Sequence, residues 1–255
     1  MKRTTVRWSL LTVVLTLFCV LTWAMPAAAI TNGTLDAGHP YVCLVQLAPD
    51  WRVTGVQLSS TVVLTAGHGT YGFDASTAQV WFSPQVDLSV PGIVPAELVT
   101  YPGYASGQGD VGIVILKEPH VLNEYAKLPE LGIVDTLPMK QSVDLVGYGA
   151  NYQLRGGGLT PFPSWQWLNQ RQYAPAQLIQ SNDILAGQYL KFTANPSDGK
   201  GGIAFGDSGG PVLKAGTNVV LAVNTFVTSA NCTGISYAQR LDLADIQKWI
   251  RGFLQ

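Results

Sequence analysis

Gly206-Asp207-Ser208-Gly209-Gly210-Pro211 is the stretch on which the reading of this chain turns. Glycines around the acid and the serine permit a tight turn in which two backbone N–H groups point at one spot beside the serine oxygen. That is the geometry of a nucleophile with an oxyanion site; the plainer reading is a glycine turn between two strands. A serine hydroxyl is a weak nucleophile at neutral pH and needs an adjacent base held in one tautomer by a third group. Of the three histidines, His39 precedes Pro40 and His120 follows Pro119, both in turn-like surroundings, whereas His68 ends the strand-like run Thr61-Val62-Val63-Leu64-Thr65-Ala66-Gly67-His68. An acid in a comparable setting is Asp110, which opens the run Gly109-Asp110-Val111-Gly112-Ile113-Val114-Ile115-Leu116.

These three segments resemble the nucleophile, histidine and aspartate motifs of the chymotrypsin/trypsin-like serine proteases. Their order, His68, Asp110, Ser208, is the chymotrypsin order rather than that of subtilisins or α/β-hydrolases. The resemblance implies a catalytic triad of His68, Asp110 and Ser208, with an oxyanion hole built from the N–H groups of Gly206 and Ser208. It implies an all-β fold of two six-stranded antiparallel β-barrels, about 41–130 and 142–241, followed by a C-terminal helix at about 242–254. The active site then lies in the cleft between the barrels.

The chain opens with Lys2, Arg3 and Arg7, an apolar run from Trp8 to about Met25, and Pro26-Ala27-Ala28-Ala29. A basic flank, an apolar stretch and an Ala-x-Ala ending describe a secretory signal peptide over 1–29; the length of the run leaves an uncleaved anchor as the other reading. Cleavage after Ala29 exposes Ile30. In the resembling family an apolar N-terminal residue inserts into the body and its ammonium pairs with the acid before the serine, which here makes Ile30 and Asp207 an activation ion pair.

The remaining chain, 30–255, reads as one β-rich protease domain. Of the 255 residues 27 are glycine and 12% are charged, and short apolar and Thr-rich runs alternate with Gly, Pro, Asn and Asp. Leu243, Ile246, Ile250 and Phe253 recur at helical spacing and predict the terminal helix. A net charge of −1 gives no electrostatic footprint for nucleic acid. No His/Cys/acid cluster has metal-ligand spacing and no glycine loop carries a phosphate motif, so neither a metal nor a cofactor is expected. Arg155-Gly156-Gly157-Gly158 reads as a surface loop, and the aromatic stretch Pro161-Phe162-Pro163-Ser164-Trp165-Gln166-Trp167 either packs over a long loop or lines an extended substrate groove.

Beyond the leader only Cys43 and Cys232 remain. The family's usual disulfide partners are missing, because Gly69 follows His68 and Ala204 stands where a mate for Cys232 is expected; two unpaired, buried thiols are the expectation. The resemblance places Gly202, six before the serine, at the base of the pocket for the residue preceding the cleaved bond, continuing through Ile203, Ala204 and Phe205. Asn224-Thr225-Phe226 supplies one wall, and Gly234 begins the last pocket strand. No acid stands at the base, so a preference for Lys or Arg is not expected. Phe226 either narrows the pocket in favour of small apolar residues or turns outward. The function expected is that of a secreted, monomeric serine endopeptidase acting on polypeptides, without nucleic acid or stable membrane association. An inactive secreted binding protein on the same fold and an esterase-like acyl hydrolase are the alternatives.

Overall fold

The computed structural model describes residues 30–106, 109–138, 140–150, 152–154, 164–179, 185, 187–194, 198–232 and 234–254. The leader 1–29, the glycine loop 155–158 and the stretch 161–163 lie outside the described residues. Seven strands come first: β1 (Thr34–Leu35), β2 (Val42–Ala48), β3 (Trp51–Gln57), β4 (Val62–Thr65), β5 (Gln79–Trp81), β6 (Pro95–Thr100) and β7 (Gly112–Leu116). After a crossover follow β8 (Ser142–Gly147), β9 (Tyr152–Leu154), β10 (Ser164–Gln166), β11 (Gln172–Gln177) and β12 (Tyr189–Thr193). The chain ends with β13 (Pro211–Lys214), β14 (Val220–Val227), β15 (Ile235–Arg240) and the helix α1 (Ala244–Arg251).

Two curled antiparallel sheets carry the fold. The first has the order β5-β2-β3-β4-β7-β6, and the second the order β1-β11-β8-β13-β14-β15-β12; β9 and β10 form a separate ribbon. In the first sheet, an antiparallel bridge between Val80 and Ile93, just before β6, brings the edges together; in the second, a bridge between Leu178 and Phe192 does the same. The chymotrypsin-like plan is therefore present, with one departure from the expected six and six strands. Thr34–Leu35, near the start of the described residues, crosses over and pairs with Tyr173 and Gln172 as a seventh strand of the second sheet.

Period-two geometry sorts the apolar residues into separate cores. In β2, Val42 and Leu44 face a cluster shared with Val146, Tyr148, Leu213 and Val223 of the second half. Cys43, Val45 and Leu47 face the interior of the first sheet with Val53, Val63, Val80 and Val114. Both faces are buried, which is why β2 from Val42 to Val45 and β7 read as apolar runs rather than alternating ones. The second interior holds Val143, Leu145, Ala174, Phe192, Val212 and Leu221 together with Ile30. Helix α1 buries Ile246 and Ile250, one turn apart, in the shared cluster, and Trp249 meets Tyr101 edge-on at 5.3 Å.

Cys43 and Cys232 are both free and both buried, as expected. Desolvation holds each thiol above its ordinary pKa, Cys232 at about 11. Thiols in that state stay protonated and inert at neutral pH.

A buried ion pair ties the N-terminal segment to the rest. Arg171 Nε donates to Asp36 Oδ2 at 2.8 Å, and Arg171 Nη1 donates to the carbonyls of Val42 and Phe82. One side chain thus holds together the segment before β2, the end of β5 and the entry to β11. Arg171→Met keeps the bulk but takes the guanidinium away from a buried carboxylate and two carbonyls, and is expected to destabilise the protein by about 3–5 kcal/mol in urea unfolding at neutral pH. A loss below about 1 kcal/mol, the range of an exposed pair, would refute this account.

Candidate active site

Register brings the histidine and the acid together. Strands β4 and β7 pair with Thr65 opposite Gly112, so His68, three residues past one strand end, meets Asp110, two residues before the other. His68 sits in a short 3-10 turn, Gly67–Gly69. Its backbone N–H donates to Asp110 Oδ1 at 2.8 Å, and its Nδ1 lies 2.9 Å from Asp110 Oδ2. Asp110 is buried, and its own N–H donates to Gln239 Oε1 at 3.2 Å. A carboxylate fixed by the backbone and bonded to Nδ1 selects the tautomer that leaves Nε2 free to accept a proton. His39 and His120 have other partners: His39 bonds Asp36, and His120 stacks on Phe82 at 3.8 Å.

Ser208 lies in the loop before β13. Gly206 there has φ +91°, in the region that favours glycine, and a Cβ on it would stand 2.5 Å from the Trp167 ring. Among the described residues, neither the Gly206 N–H nor the Ser208 N–H donates to a protein acceptor. Donors without acceptors beside a serine are the kind of group that can receive developing negative charge. Ser208 and His68 line one cavity of about 440 Å³, but no hydrogen bond joins their side chains. Such bonds are often long before substrate binds.

Thr54 fixes the loop from the opposite sheet. Its hydroxyl donates to the Gly206 carbonyl at 2.9 Å and accepts from the Tyr148 N–H at 2.9 Å, while its own N–H donates to the Ser208 carbonyl at 2.9 Å. Asp207, between them, is fully buried and accepts from the N–H groups of Gly149 and Ala204, both at 2.8 Å. No cation stands within ion-pair distance of it among the described residues, and burial pushes its pKa up to about 7. Ile30 is close by and fully buried: a Cβ built on Gly147 would lie 3.0 Å from Asp207 Cγ and 3.3 Å from Ile30 Cδ1.

Ile203, Ala204, Phe205 and Phe226 line the cavity, whereas Gly202, Asn224 and Gly234 do not. Gly202 instead bridges Thr31 through paired backbone and hydroxyl bonds. Asn224 is fully buried, and its backbone carbonyl accepts from Gly209. The register of β14 against β15 shifts between Asn224 and Phe226, making Thr225 the extra residue; its hydroxyl accepts from the Gln239 N–H. Phe226 consequently stacks on Tyr237 at 4.5 Å, forming a wall between this cavity and a second one of about 390 Å³ lined by His68, Tyr104, Asp110 and Tyr189. Val227 is next in line on the cavity side. Sequence reasoning passed over Trp51, Arg52, Thr54 and Val227. Of the aromatic stretch it did single out, Trp167 lines the cavity and Trp165 meets Phe205 edge-on.

A family model described as Trypsin matches residues 31–250. Serine protease 1 of Drosophila melanogaster is 25% identical over 242 residues, covering 87% of this chain and 84% of that protein. Among solved structures, human heparin binding protein superposes with a TM-score of 0.66 at 16% identity, over 87% of this chain and 95% of that one. A scabies mite inactivated protease paralogue superposes with a TM-score of 0.63 at 18% identity, over 87% of this chain and 98% of that one. At these identities the structural matches speak for the fold.

The role of Thr54 is open to a direct check. Thr54→Val leaves a buried carbonyl and a buried N–H without partners and is expected to cost about 1–3 kcal/mol in chemical unfolding. Thr54→Ser, which keeps the hydroxyl, should recover more than half of that loss; equal losses in the two variants would assign the effect to packing instead.

Proposed function

Because this chain belongs to the trypsin family, we propose that it is a secreted serine endopeptidase whose triad is His68, Asp110 and Ser208. The observation that carries this reading is the convergence on one cavity of a carboxylate-bound histidine, a serine, and two backbone N–H groups without acceptors. In the proposed reaction Ser208 Oγ attacks the substrate carbonyl carbon while His68 Nε2 takes its proton. The oxyanion accepts from the N–H groups of Gly206 and Ser208. Collapse of the tetrahedral species breaks the peptide C–N bond, and His68 returns the proton to the leaving amine. Water then repeats the sequence on the acyl-enzyme and restores Ser208. Asp110 holds the imidazole and stabilises its charged form.

The acyl side of the cavity, with Ile203, Ala204, Phe226 and Val227, favours a small or medium apolar residue before the cleaved bond. Asp50 is the single acid among the lining residues and is exposed at its rim, which argues against a Lys or Arg preference. The absence of a His68–Ser208 hydrogen bond favours, as a second reading, an inactive binding protein on the protease fold. A fluorophosphonate probe separates the two. One adduct by intact mass on the wild type and none on Ser208→Ala is expected; no adduct on folded protein with a free Ile30 amine would sink the protease reading.

Freeing Ile30 is the proposed activating step, with its ammonium as the missing partner of Asp207. The sign of the pH effect follows from the raised pKa of Asp207. In the unfolded chain this carboxyl ionises near pH 4. With Ile30 capped, the folded chain therefore loses stability as the pH rises from about 4 to about 7, by on the order of 4 kcal/mol. A free ammonium offsets that loss. Urea unfolding of free and N-acetylated Ile30 proteins should thus diverge as the pH rises from 4 to 7, the free form being the more stable; parallel curves would count against the ion pair.

A further inference from the structure

Arg52 is the single cation among the residues lining the cavity that holds Ser208 and His68, and the protease reading does not use it. Residues 52 and 54 of a strand share a face. Thr54 bonds the carbonyl of Gly206, so Arg52 projects to the same side at the rim of the cleft. There its guanidinium lies over the Trp167 ring, 4.8 Å from the centroid, and Trp167 itself covers Gly206. Nη1 donates to Asn169 Oδ1. Asn169 stands at φ +52°, and its carbonyl accepts from the Val86 N–H at 2.9 Å.

The fork is thus positioned but not neutralised. Among the described residues no carboxylate lies within 4.0 Å of Arg52; Asp50, at the rim, contributes only a longer-range field. Asn169 and the ring face occupy one N–H and one flat side, and a guanidinium has five N–H groups. A half-buried guanidinium with spare donors on an apolar wall is complementary to a carboxylate, which it binds through two parallel hydrogen bonds. Arg52 and Trp51 come from the first sheet and Trp167 from the segment before β11, whereas Phe226 and Val227, which the proposed reaction places on the acyl side, come from the second sheet.

We propose that Arg52 is a specificity residue for the leaving-group half of the substrate, selecting a carboxylate among the first residues after the cleaved bond. The proposal rests on the protease reading for its catalytic meaning, but the subsite exists in the folded protein whether or not the bond is cut. The carboxylate has two sources of the same chemistry, an Asp or Glu side chain or the C-terminus of a short peptide.

The test uses the protein with a free Ile30 and a peptide set sharing one acyl half. The set carries Asp or Asn at the first, second or third place after the bond, and each member is made as the C-terminal amide and as the free acid. The quantity read is the ratio of kcat/KM for acidic over neutral peptides. At one of these places the wild-type ratio should exceed unity by about tenfold, as for a charge-assisted pair. Arg52→Met should bring it to about one, Arg52→Lys should keep part of it, and Arg52→Glu should invert it, with melting temperatures confirming that each variant folds. A preference confined to Asp peptides assigns the site to side chains, and one confined to free acids assigns it to the peptide terminus. Ratios unchanged by Arg52→Met and Arg52→Glu would overturn the proposal while leaving the protease reading intact. If the wild type cuts nothing, binding of the acidic amide peptides and their Asn counterparts to Ser208→Ala decides. Acid-selective binding lost in Arg52→Met upholds the subsite and removes the protease reading, and binding indifferent to charge removes the subsite.

Discussion

The carboxyl group of Asp207 is the constraint around which the second half of the molecule is arranged. It is fully buried, and it is held by N–H groups from two segments, Gly149 after β8 and Ala204 in its own loop. Holding it there leaves no room beside the end of β8. A Cβ on Gly147 would lie 2.1 Å from Asp207 Oδ1, and one on Gly149 would lie 2.6 Å from Asp207 Cγ. The glycines flanking Tyr148 are therefore required by the same contact that shapes the serine loop. Removing a buried acid from water is unfavourable unless the group is neutralised or paired, which is why this one resists ionisation. Ile30 is buried beside it, where the proposed free amine would compensate.

From that point the structure is stitched outward by side chains that each make several bonds across the seam. Thr54 joins the first sheet to the serine loop and to Tyr148. Arg171 joins the N-terminal segment to both halves. Tyr148, itself buried, donates its hydroxyl to the carbonyl of Ser83 at 2.7 Å. A cleft between two sheets exposes backbone groups that neither ladder satisfies, and buried polar groups must find partners. Here a few multivalent side chains meet much of that need, and the loops carrying His68, Asp110 and Ser208 share one frame.

Much of this was legible in the sequence, and the reason is local. The segments around His68 and Ser208 owe their form to short-range turn chemistry, and Asp110 to its place before an apolar strand; such features leave a contiguous signature. The terminal helix was legible from spacing, although it runs from Ala244 to Arg251 rather than across the whole of 242–254. Strand β3 was harder to see because Arg52, Thr54 and Gly55 interrupt its apolar pattern, each for a tertiary reason. Strand β11 carries Pro175, a residue that reads as a breaker. In the sheet Pro175 stands opposite Asp144, and its carbonyl accepts from the Gly201 N–H at 2.8 Å. The seventh strand, Thr34–Leu35, is two residues long and carries no pattern of its own.

The cavity beside Ser208 was the least legible part because it is assembled by register rather than by motif. Counting along the chain puts Asn224, Thr225 and Phe226 in a row on one wall. The bulge at Thr225 breaks that count: Asn224 goes inward, Thr225 bonds the neighbouring strand while still lining the cavity, and Phe226 and Val227 line it too. One inserted residue interrupts the alternation of strand side chains, so that successive residues from Thr225 onward line the cavity. The same logic hides Arg52, which faces the serine loop only because it lies two residues before Thr54. Short motifs can thus be read in one dimension, whereas the residues that line the cavity beside them depend on where each strand is held against its neighbour.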